Sequence, residues 1–167
     1  ENVSGYYSQR VISALQTAGY ETGLAVIPPG ERSKSAATLQ RVWEQFVKLG
    51  LDRDSTVIGL GGGVVGDLTG FAAATYYRGI RWVNIPTSLL AMVDAGIGGK
   101  TGRDLEAGKN LVGAFHAPGL VLVDPAVLDT LPEKEILNGM AEVIKHGLIA
   151  DPGLFSLAAN GKDSYQV

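Results

Sequence analysis

Apolar residues recur along the chain with a helical period in some segments. In residues 6–18 and 35–49 they return every three to four positions, and the segments are followed by Gly19 and Gly50. This spacing predicts amphipathic helices, because it gathers apolar side chains on one face. Glycine is typical of the position just past a helix. Residues 64–76, rich in Ala and Gly, are predicted to form a further helix.

Short apolar runs lie between these helical segments, at residues 21–27, 56–60, 81–85 and 120–123. Runs of this length predict strands. Strands that alternate with helices are typical of a parallel sheet covered on both faces. We therefore predict an α/β fold with a Rossmann-like parallel sheet, and ligand sites at the carboxyl ends of its strands.

The pattern changes at Pro132. Residues 132–149 are predicted to form one long helix, and a second apolar stretch follows Asp151-Pro152-Gly153. We place a domain boundary near Leu131, with an α/β domain at 1–131 and the start of an all-α domain at 132–167. The chain opens in a helix and ends after two helical elements. We therefore expect the first strands of the α/β domain, and the remainder of the helical domain, to lie outside it.

Composition narrows the functional classes. The 167 residues are 46% hydrophobic and 19% charged, with a net charge of −3. These values exclude a disordered chain and argue against a general nucleic-acid binder. Without cysteine, disulfides and thiolate zinc sites are excluded. No apolar run approaches the roughly 18 residues of a membrane span. We expect neither a nucleic-acid nor a membrane partner, and a cytoplasmic address.

Glycines are concentrated where a strand meets a helix. Residues 61, 63 and 66 satisfy G-x-G-x-x-G between the predicted strand 56–60 and the helix 64–76. Glycine lets the backbone approach a pyrophosphate, and the N–H groups of a first helical turn favour its charge. The motif predicts a nucleotide phosphate site, and a purely structural tight turn is the alternative.

Two polar segments follow later strands. Thr87 and Ser88 come directly after the strand 81–85, where hydroxyls suit either a ligand or a helix N-cap. Two Gly-Lys steps, at Lys100 and Lys109, bring two ammonium groups to what we expect to be flexible backbone, suited to an anionic substrate. Asp94 is a lone acid in an apolar stretch. It is a candidate for orienting hydroxyls or moving protons, or for capping a helix.

The helix 132–149 places Glu142, Lys145 and His146 on one face. A carboxylate and a histidine four residues apart can share a metal, although a surface ion pair is the commoner reason for such spacing. His116 is as readily explained as a packed loop residue as by a functional role.

Taken together, four segments resemble the 3-dehydroquinate synthase family, and the resemblance runs from about residue 1 to 155. The segments are GGGVVGDLTGFAAATYYRG at 61–79, IPTSLLAMVDAGIGGKTG at 85–102, GKNLVGAFHAP at 108–118 and GMAEVIKHG at 139–147. The resemblance implies a phosphate lyase of the shikimate pathway that uses NAD and a divalent metal, zinc or cobalt. It implies a sugar phosphate substrate with seven carbons, and a homodimer.

Site residues are carried over by position. Those that resemble the family's NAD contacts are Asn2, Gly30, Glu31, Arg32, Ser33, Lys34, Gly62, Gly63, Val64, Val65, Gly66, Asp67, Thr87, Ser88, Lys100, Lys109, Val127, Leu128, Asp129 and Thr130. Those that resemble substrate-binding or proton-transfer positions are Asp94, Lys100, Asn110 and Lys145, with Arg78 reaching the phosphate held by a neighbouring subunit. Glu142 matches a metal ligand.

The sequence departs from the family in several ways. The family's two histidine ligands lie well beyond Glu142, and neither His116 nor His146 aligns with them. We therefore expect this chain alone to be inactive. Arg103 stands where a small apolar residue is commoner. The alternatives are a related cyclase of sedoheptulose 7-phosphate, a metal-dependent polyol dehydrogenase that lacks the set of Lys100, Lys109 and Asn110, and a bare NAD-binding module.

Overall fold

The computed structural model describes residues 2–160, which form five α-helices, five strands and several shorter helical turns. The α-helices are α1 (Gln9–Thr17), α2 (Ala36–Lys48), α3 (Gly63–Thr75), α4 (Glu133–Ala150) and α5 (Pro152–Ala159). The strands are β1 (Thr56–Gly61), β2 (Arg81–Pro86), β3 (Lys100–Leu105), β4 (Gly108–Phe115) and β5 (Leu120–Val121). Shorter helical turns lie at Ser4–Ser8, Glu31–Ser33, Tyr76–Arg78, Ala91–Ala95 and Pro125–Thr130.

The sheet that organises the molecule is parallel, in the order β1-β2-β5. β1 pairs with β2 from Thr56 opposite Arg81 to Gly61 opposite Pro86. The carboxyl ends of both strands therefore meet at one edge, where α3 begins directly after β1. The prediction of a Rossmann-like α/β fold is confirmed, although β5 is shorter than the predicted strand 120–123.

The core lies between the sheet, α3 and α2. Leu68, Phe71 and Ala72 of α3 pack with Leu39, Val42 and Phe46 of α2, and all are nearly inaccessible. Small residues let α3 approach its neighbours closely, since a Cβ at Gly70 would come within 2.8 Å of the Trp82 ring. This packing fixes the N-terminus of α3 relative to the sheet edge.

The predicted strand at residues 21–27 is wrong. In residues 2–160 no strand pairs with this segment, and Leu24 and Val26 are each 49% exposed. Alternating apolar residues favour an extended backbone, but a strand also needs the hydrogen-bonding edge of a neighbour. Here the segment lines a broad cavity beside β1 instead.

Sequence reasoning missed an antiparallel hairpin. β3 and β4 pair from Lys100 opposite Phe115 to Leu105 opposite Gly108, so Lys100 and Lys109 lie on the two strands of a hairpin rather than on flexible backbone. The register shifts between Arg103 and Leu105. The hairpin escaped notice because its connection, Glu106-Ala107, lacks the Asn-Gly or Asp-Gly signal of a tight turn.

α4 begins at Glu133, immediately after Pro132. Glu133 and Glu135 lie in its first turn, where their negative charges interact favourably with the helix dipole. The helix agrees closely with the predicted span 132–149. The division into domains at residues 131 and 132 stays a prediction. Among residues 2–160 there is no helix with the length and apolar character required to cross a membrane.

Candidate functional site

The carboxyl end of β1 forms a glycine cradle at Gly61, Gly62 and Gly63. A Cβ on Gly62 would lie 3.3 Å from Ser88 Oγ, and one on Gly63 would lie 3.2 Å from Ala95 Cβ. α3 follows at once. Its Val65 N–H donates to the Gly62 carbonyl at 3.0 Å, whereas the N–H groups of Gly63 and Val64 stand at the helix start without an acceptor inside the helix. Bare backbone and a helix N-terminus together suit an anionic ligand such as a pyrophosphate, so the residues present fit the phosphates of NAD.

Thr87 and Ser88 stand beside this cradle at the end of β2. The Thr87 N–H donates to the Gly61 carbonyl at 2.9 Å, which ties the two strand ends together. Ser88 Oγ accepts a hydrogen bond from the Ala91 N–H at 3.3 Å. The capping role that sequence allowed for Ser88 is therefore present, and a Ser88 oxygen beside Gly62 is compatible with a ligand role as well.

A broad cavity of about 1730 Å³ opens along this edge of the sheet. Twelve of the residues predicted to contact the cofactor line it, namely Asn2, Gly30, Glu31, Lys34, Gly62, Gly63, Val64, Val65, Asp67, Thr87, Ser88 and Thr130. These residues come from five separate stretches of the chain, so the fold brings the predicted nucleotide contacts to one place.

Six other predicted contacts do not line the cavity. Gly66 is buried against Asn84, and Arg32 and Ser33 belong to the short turn Glu31–Ser33. Val127, Leu128 and Asp129 belong to the turn Pro125–Thr130. Tyr7, which sequence reasoning missed, fixes this turn through its hydroxyl, 3.3 Å from the Val127 carbonyl and 2.6 Å from Thr130 Oγ1.

A buried lysine connects the cradle to the hairpin. Lys34 is 4% exposed, and its Nζ donates to Asp67 Oδ2 and to Asn110 Oδ1, each at 2.7 Å. Burial raises the pKa of the Asp67 carboxyl, and the hydrogen bond and charge of Lys34 partly offset this effect. The nearby charges of Glu31 and Asp104 raise the same pKa further. Sequence reasoning missed Asp104.

Lys100 and Lys109 are exposed on the two strands of the hairpin. Lys109 Nζ lies 3.2 Å from Glu31 Oε1, so the hairpin is joined to the loop before α2 at its surface as well. An exposed pair of this kind contributes little to stability. Both ammonium groups remain accessible to an anionic ligand.

α4 carries the second predicted group, Glu142, Lys145 and His146. Glu142 forms an ion pair with Lys145, as its spacing favoured. The hydrogen bond that Lys145 donates to Glu142, and more weakly the charge of Asp94, raise the pKa of the Lys145 ammonium. His146 Nε2 lies 3.0 Å from the Val93 carbonyl, in the turn that holds Asp94. The helix is thus held beside Asp94, whose side chain is exposed.

The described residues do not complete a metal site. Across residues 2–160, no group of three or more His, Asp or Glu side chains is arranged to hold a metal ion. Glu142 Oε2 is inaccessible and contacts Lys145. Both histidines contact backbone carbonyls, since His116 Nε2 lies 3.0 Å from that of Ile80. His116 therefore has the packed role that sequence allowed, and Glu142 as a ligand stays a prediction.

Arg78 lies in a strained turn outside the cavity. Tyr77 and Arg78 have φ angles of 49° and 68°, in the left-handed region that non-glycine residues rarely adopt. The Arg78 side chain is exposed, while Arg53 lies 5.8 Å above the Tyr77 ring. The assignment of Arg78 to a neighbouring subunit's substrate stays a prediction.

Known proteins resemble this chain in sequence and in fold. Residues 24–138 match the family model of the 3-dehydroquinate synthase N-terminal domain. The chain is 58% identical over 149 residues to a 3-dehydroquinate synthase of Synechococcus sp., covering 89% of this chain and 40% of that protein. It thus spans less than half the length of this curated relative.

Two solved structures show the same arrangement. 2-epi-5-epi-valiolone synthase of Streptomyces hygroscopicus, with NAD+ and Zn²⁺ bound, superposes with a TM-score of 0.89 at 37% identity, covering 95% of this chain and 44% of that one. A 2-deoxy-scyllo-inosose synthase complexed with carbaglucose-6-phosphate, NAD+ and Co²⁺ gives 0.78 at 32% identity, covering 87% and 41%. The match to the family model spans most of the chain, and we conclude that the chain belongs to the 3-dehydroquinate synthase family.

Proposed function

We propose that this chain is the nucleotide-binding part of a 3-dehydroquinate synthase. The whole protein would convert 3-deoxy-D-arabino-heptulosonate 7-phosphate to 3-dehydroquinate and phosphate, as a carbon-oxygen lyase of the shikimate pathway. The observation that carries the proposal is the single edge at which the glycine cradle and the hairpin meet through Lys34. The identity to curated synthases supports it.

The cradle would hold the pyrophosphate of NAD against the N-terminus of α3 and the hydroxyls of Thr87 and Ser88. Asp67 would accept hydrogen bonds from a ribose, because a carboxylate at this depth is oriented by Lys34. Bound NAD+ would supply a transient oxidation of a substrate alcohol that is later reversed, so the cofactor is not consumed. Residues 127–130, Arg32 and Lys109 would complete the nucleotide contacts.

The substrate would lie between the hairpin and α4. Lys100 and Asn110 would bind its polar groups. Asp94 and Lys145 would orient its hydroxyls and transfer protons. Lys145 has a raised pKa and is therefore a cation at neutral pH, which suits the binding of an anionic substrate. The described residues do not form a metal site by themselves, and in the whole protein Glu142 would be one ligand.

A homodimer and a cytoplasmic address complete the proposal. Arg78 is exposed on a strained turn, and backbone strain of this kind clusters at functional sites. Its guanidinium would reach a phosphate in the neighbouring subunit, where bidentate contacts are favourable.

The test has two parts. Titration calorimetry of NAD+ into this chain should show binding, and the whole protein should release phosphate from 3-deoxy-D-arabino-heptulosonate 7-phosphate when NAD+ and Zn²⁺ are present. The absence of NAD+ binding to this chain would contradict the proposed role of the cradle.

The same assay separates the alternatives. Phosphate release from sedoheptulose 7-phosphate alone would indicate the related cyclase. Net formation of NADH from a polyol would indicate a dehydrogenase. Binding of NAD+ to the whole protein without turnover of any of these substrates would leave a nucleotide-binding module.

A further inference from the structure

We propose that Asp104 is a positioning residue which, through Asn110 and Lys34, fixes the carboxylate of Asp67 for the nucleotide. This inference rests on the proposed binding of NAD. Asp104 belongs to none of the groups that sequence pattern or resemblance assigned.

Asp104 lies at the irregular point of the hairpin. Arg103 pairs with Val112 and Leu105 with Gly108, so Asp104 alone faces the three residues 109–111. A bulge of this kind frees backbone groups from the ladder and turns a side chain in a new direction. Here the freed Asp104 N–H donates to the Lys34 carbonyl at 2.7 Å, which joins the hairpin to the loop before α2.

The Asp104 carboxylate fixes the conformation of Asn110. Its Oδ1 accepts the Asn110 N–H at 2.9 Å, and Asn110 has a φ of 57°, in the left-handed region. Asparagine is among the residues that tolerate this region, and a local hydrogen bond stabilises it there. The bond thereby aims the Asn110 side-chain oxygen at Lys34 Nζ, 2.7 Å away.

Lys34 transmits this arrangement to Asp67. Its side chain is 5% exposed, and its ammonium contacts Asn110 and Asp67 and lies 3.9 Å from Asp104 Oδ1. A buried ammonium needs its donors satisfied, so the position of each acceptor constrains the others. If Asn110 turned away, Lys34 would lose one acceptor and move, and the carboxylate of Asp67 would follow it.

The test compares NAD+ affinity in this chain among four proteins: the original, Asp104→Ala, Asp104→Asn and Glu106→Ala. Asp104→Ala removes the acceptor for the Asn110 N–H. It should weaken NAD+ binding about tenfold, because the displaced Asp67 carboxylate would lose one hydrogen bond to the nucleotide. Asp104→Asn keeps an acceptor oxygen and should bind within about twofold of the original. Glu106→Ala, two residues away on the exposed hairpin turn, is the matched control.

Two measurements by nuclear magnetic resonance keep the test independent of NAD+. The Asn110 amide should exchange with solvent faster in Asp104→Ala than in Asp104→Asn. The charges that face Asp67 are Lys34, Glu31 and Asp104, so removal of Asp104 should lower the pKa of Asp67 in both variants. If Asp104→Ala fails to fold, the titration of Asp67 in Asp104→Asn still decides whether the two carboxylates are coupled.

The outcomes are distinct. Unchanged NAD+ affinity in a folded Asp104→Ala would overturn the inference, as would equal weakening by Ala and Asn, or an Asp67 titration that ignores Asp104. If the original chain itself binds no NAD+, the proposed function fails and the inference fails with it. Support for both the proposed function and the inference would come from weaker NAD+ binding in Asp104→Ala, with faster exchange of the Asn110 amide and a lower pKa of Asp67. Glu106→Ala should leave NAD+ affinity unchanged.

Discussion

Gly139 of α4 lies directly against Leu89, so that a Cβ on Gly139 would come within 2.6 Å of Leu89 Cβ and 2.7 Å of the Leu90 backbone nitrogen. This is the point at which α4 crosses the segment between β2 and the turn that holds Asp94. The contact holds α4, which carries Glu142, Lys145 and His146, beside the turn that contains Asp94.

Gly139→Ala should therefore destabilise the chain by about 1–3 kcal/mol, because the backbone of Leu90 cannot move away from the added methyl group. Urea unfolding measures the loss. Gly5→Ala is the matched control, since a Cβ on Gly5 meets nothing within 4 Å. Equal stability of the two variants would contradict the close crossing.

Gly62→Ala tests the cradle without straining the backbone. Gly62 has a φ of −74°, which alanine adopts freely, so the fold should be retained. The added methyl would intrude on the space where a pyrophosphate approaches the backbone. We expect NAD+ affinity to fall about tenfold or more, by calorimetry, with the unfolding midpoint nearly unchanged. Unaltered affinity would place the phosphates elsewhere.

Lys34→Met tests the ion pair with Asp67. The raised pKa of Asp67 means that the folded chain binds a proton more tightly than the unfolded chain. Its contribution to stability is therefore present below the ordinary value of 3.8 and is lost as the pH rises through the folded pKa. Without Lys34 that pKa rises further, and the loss extends to higher pH.

The free energy of unfolding of Lys34→Met should fall below that of the original by about 1–3 kcal/mol near neutral pH, and by less in acid. Urea unfolding across this range measures the trend, with Lys48→Met on the exposed face of α2 as the control. A deficit that is constant with pH would show that Asp67 does not depend on Lys34.

Glu142→Gln tests the pair on α4. The Glu142 hydrogen bond is the main cause of the raised Lys145 pKa, so its loss should return that pKa toward the ordinary value of 10.5. Lys145 should then react faster with acetic anhydride in alkaline solution, as peptide mass spectrometry would measure. Glu135→Gln, which changes a carboxylate in the first turn of α4, should leave that rate unchanged.

Sequence pattern predicted the elements that carry their own signals. The helix 35–49 and the strand 56–60 have strong periodicity and clear ends, and both are present as α2 and β1. The segment 21–27 has a similar alternation, yet whether it forms a strand depends on a partner edge that no local pattern encodes. The hairpin was missed because its turn, Glu106-Ala107, has none of the residues that usually mark a tight β-turn, and the packing of β3 against α3 is a tertiary contact that no local pattern encodes.

The candidate site divides in the same way. The glycine cradle was predictable because its chemistry lies within seven consecutive residues. The contacts of Lys34 were not, since its partners Asp67 and Asn110 lie 33 and 76 residues away in the chain. No motif in the sequence around Asp104 identifies it as a site residue. Asp104 contacts Lys34 only once the hairpin has folded.

The hydroxyl contact between Tyr7 and Thr130 has a consequence for the order of folding. It joins residues separated by 123 positions, so the loop that it closes encloses the entire parallel sheet. Closing so long a loop costs more entropy than forming any local element. During synthesis on the ribosome this contact cannot form before residue 130 has emerged, so the turn Ser4–Ser8 is expected to dock after β1 and β2 have paired.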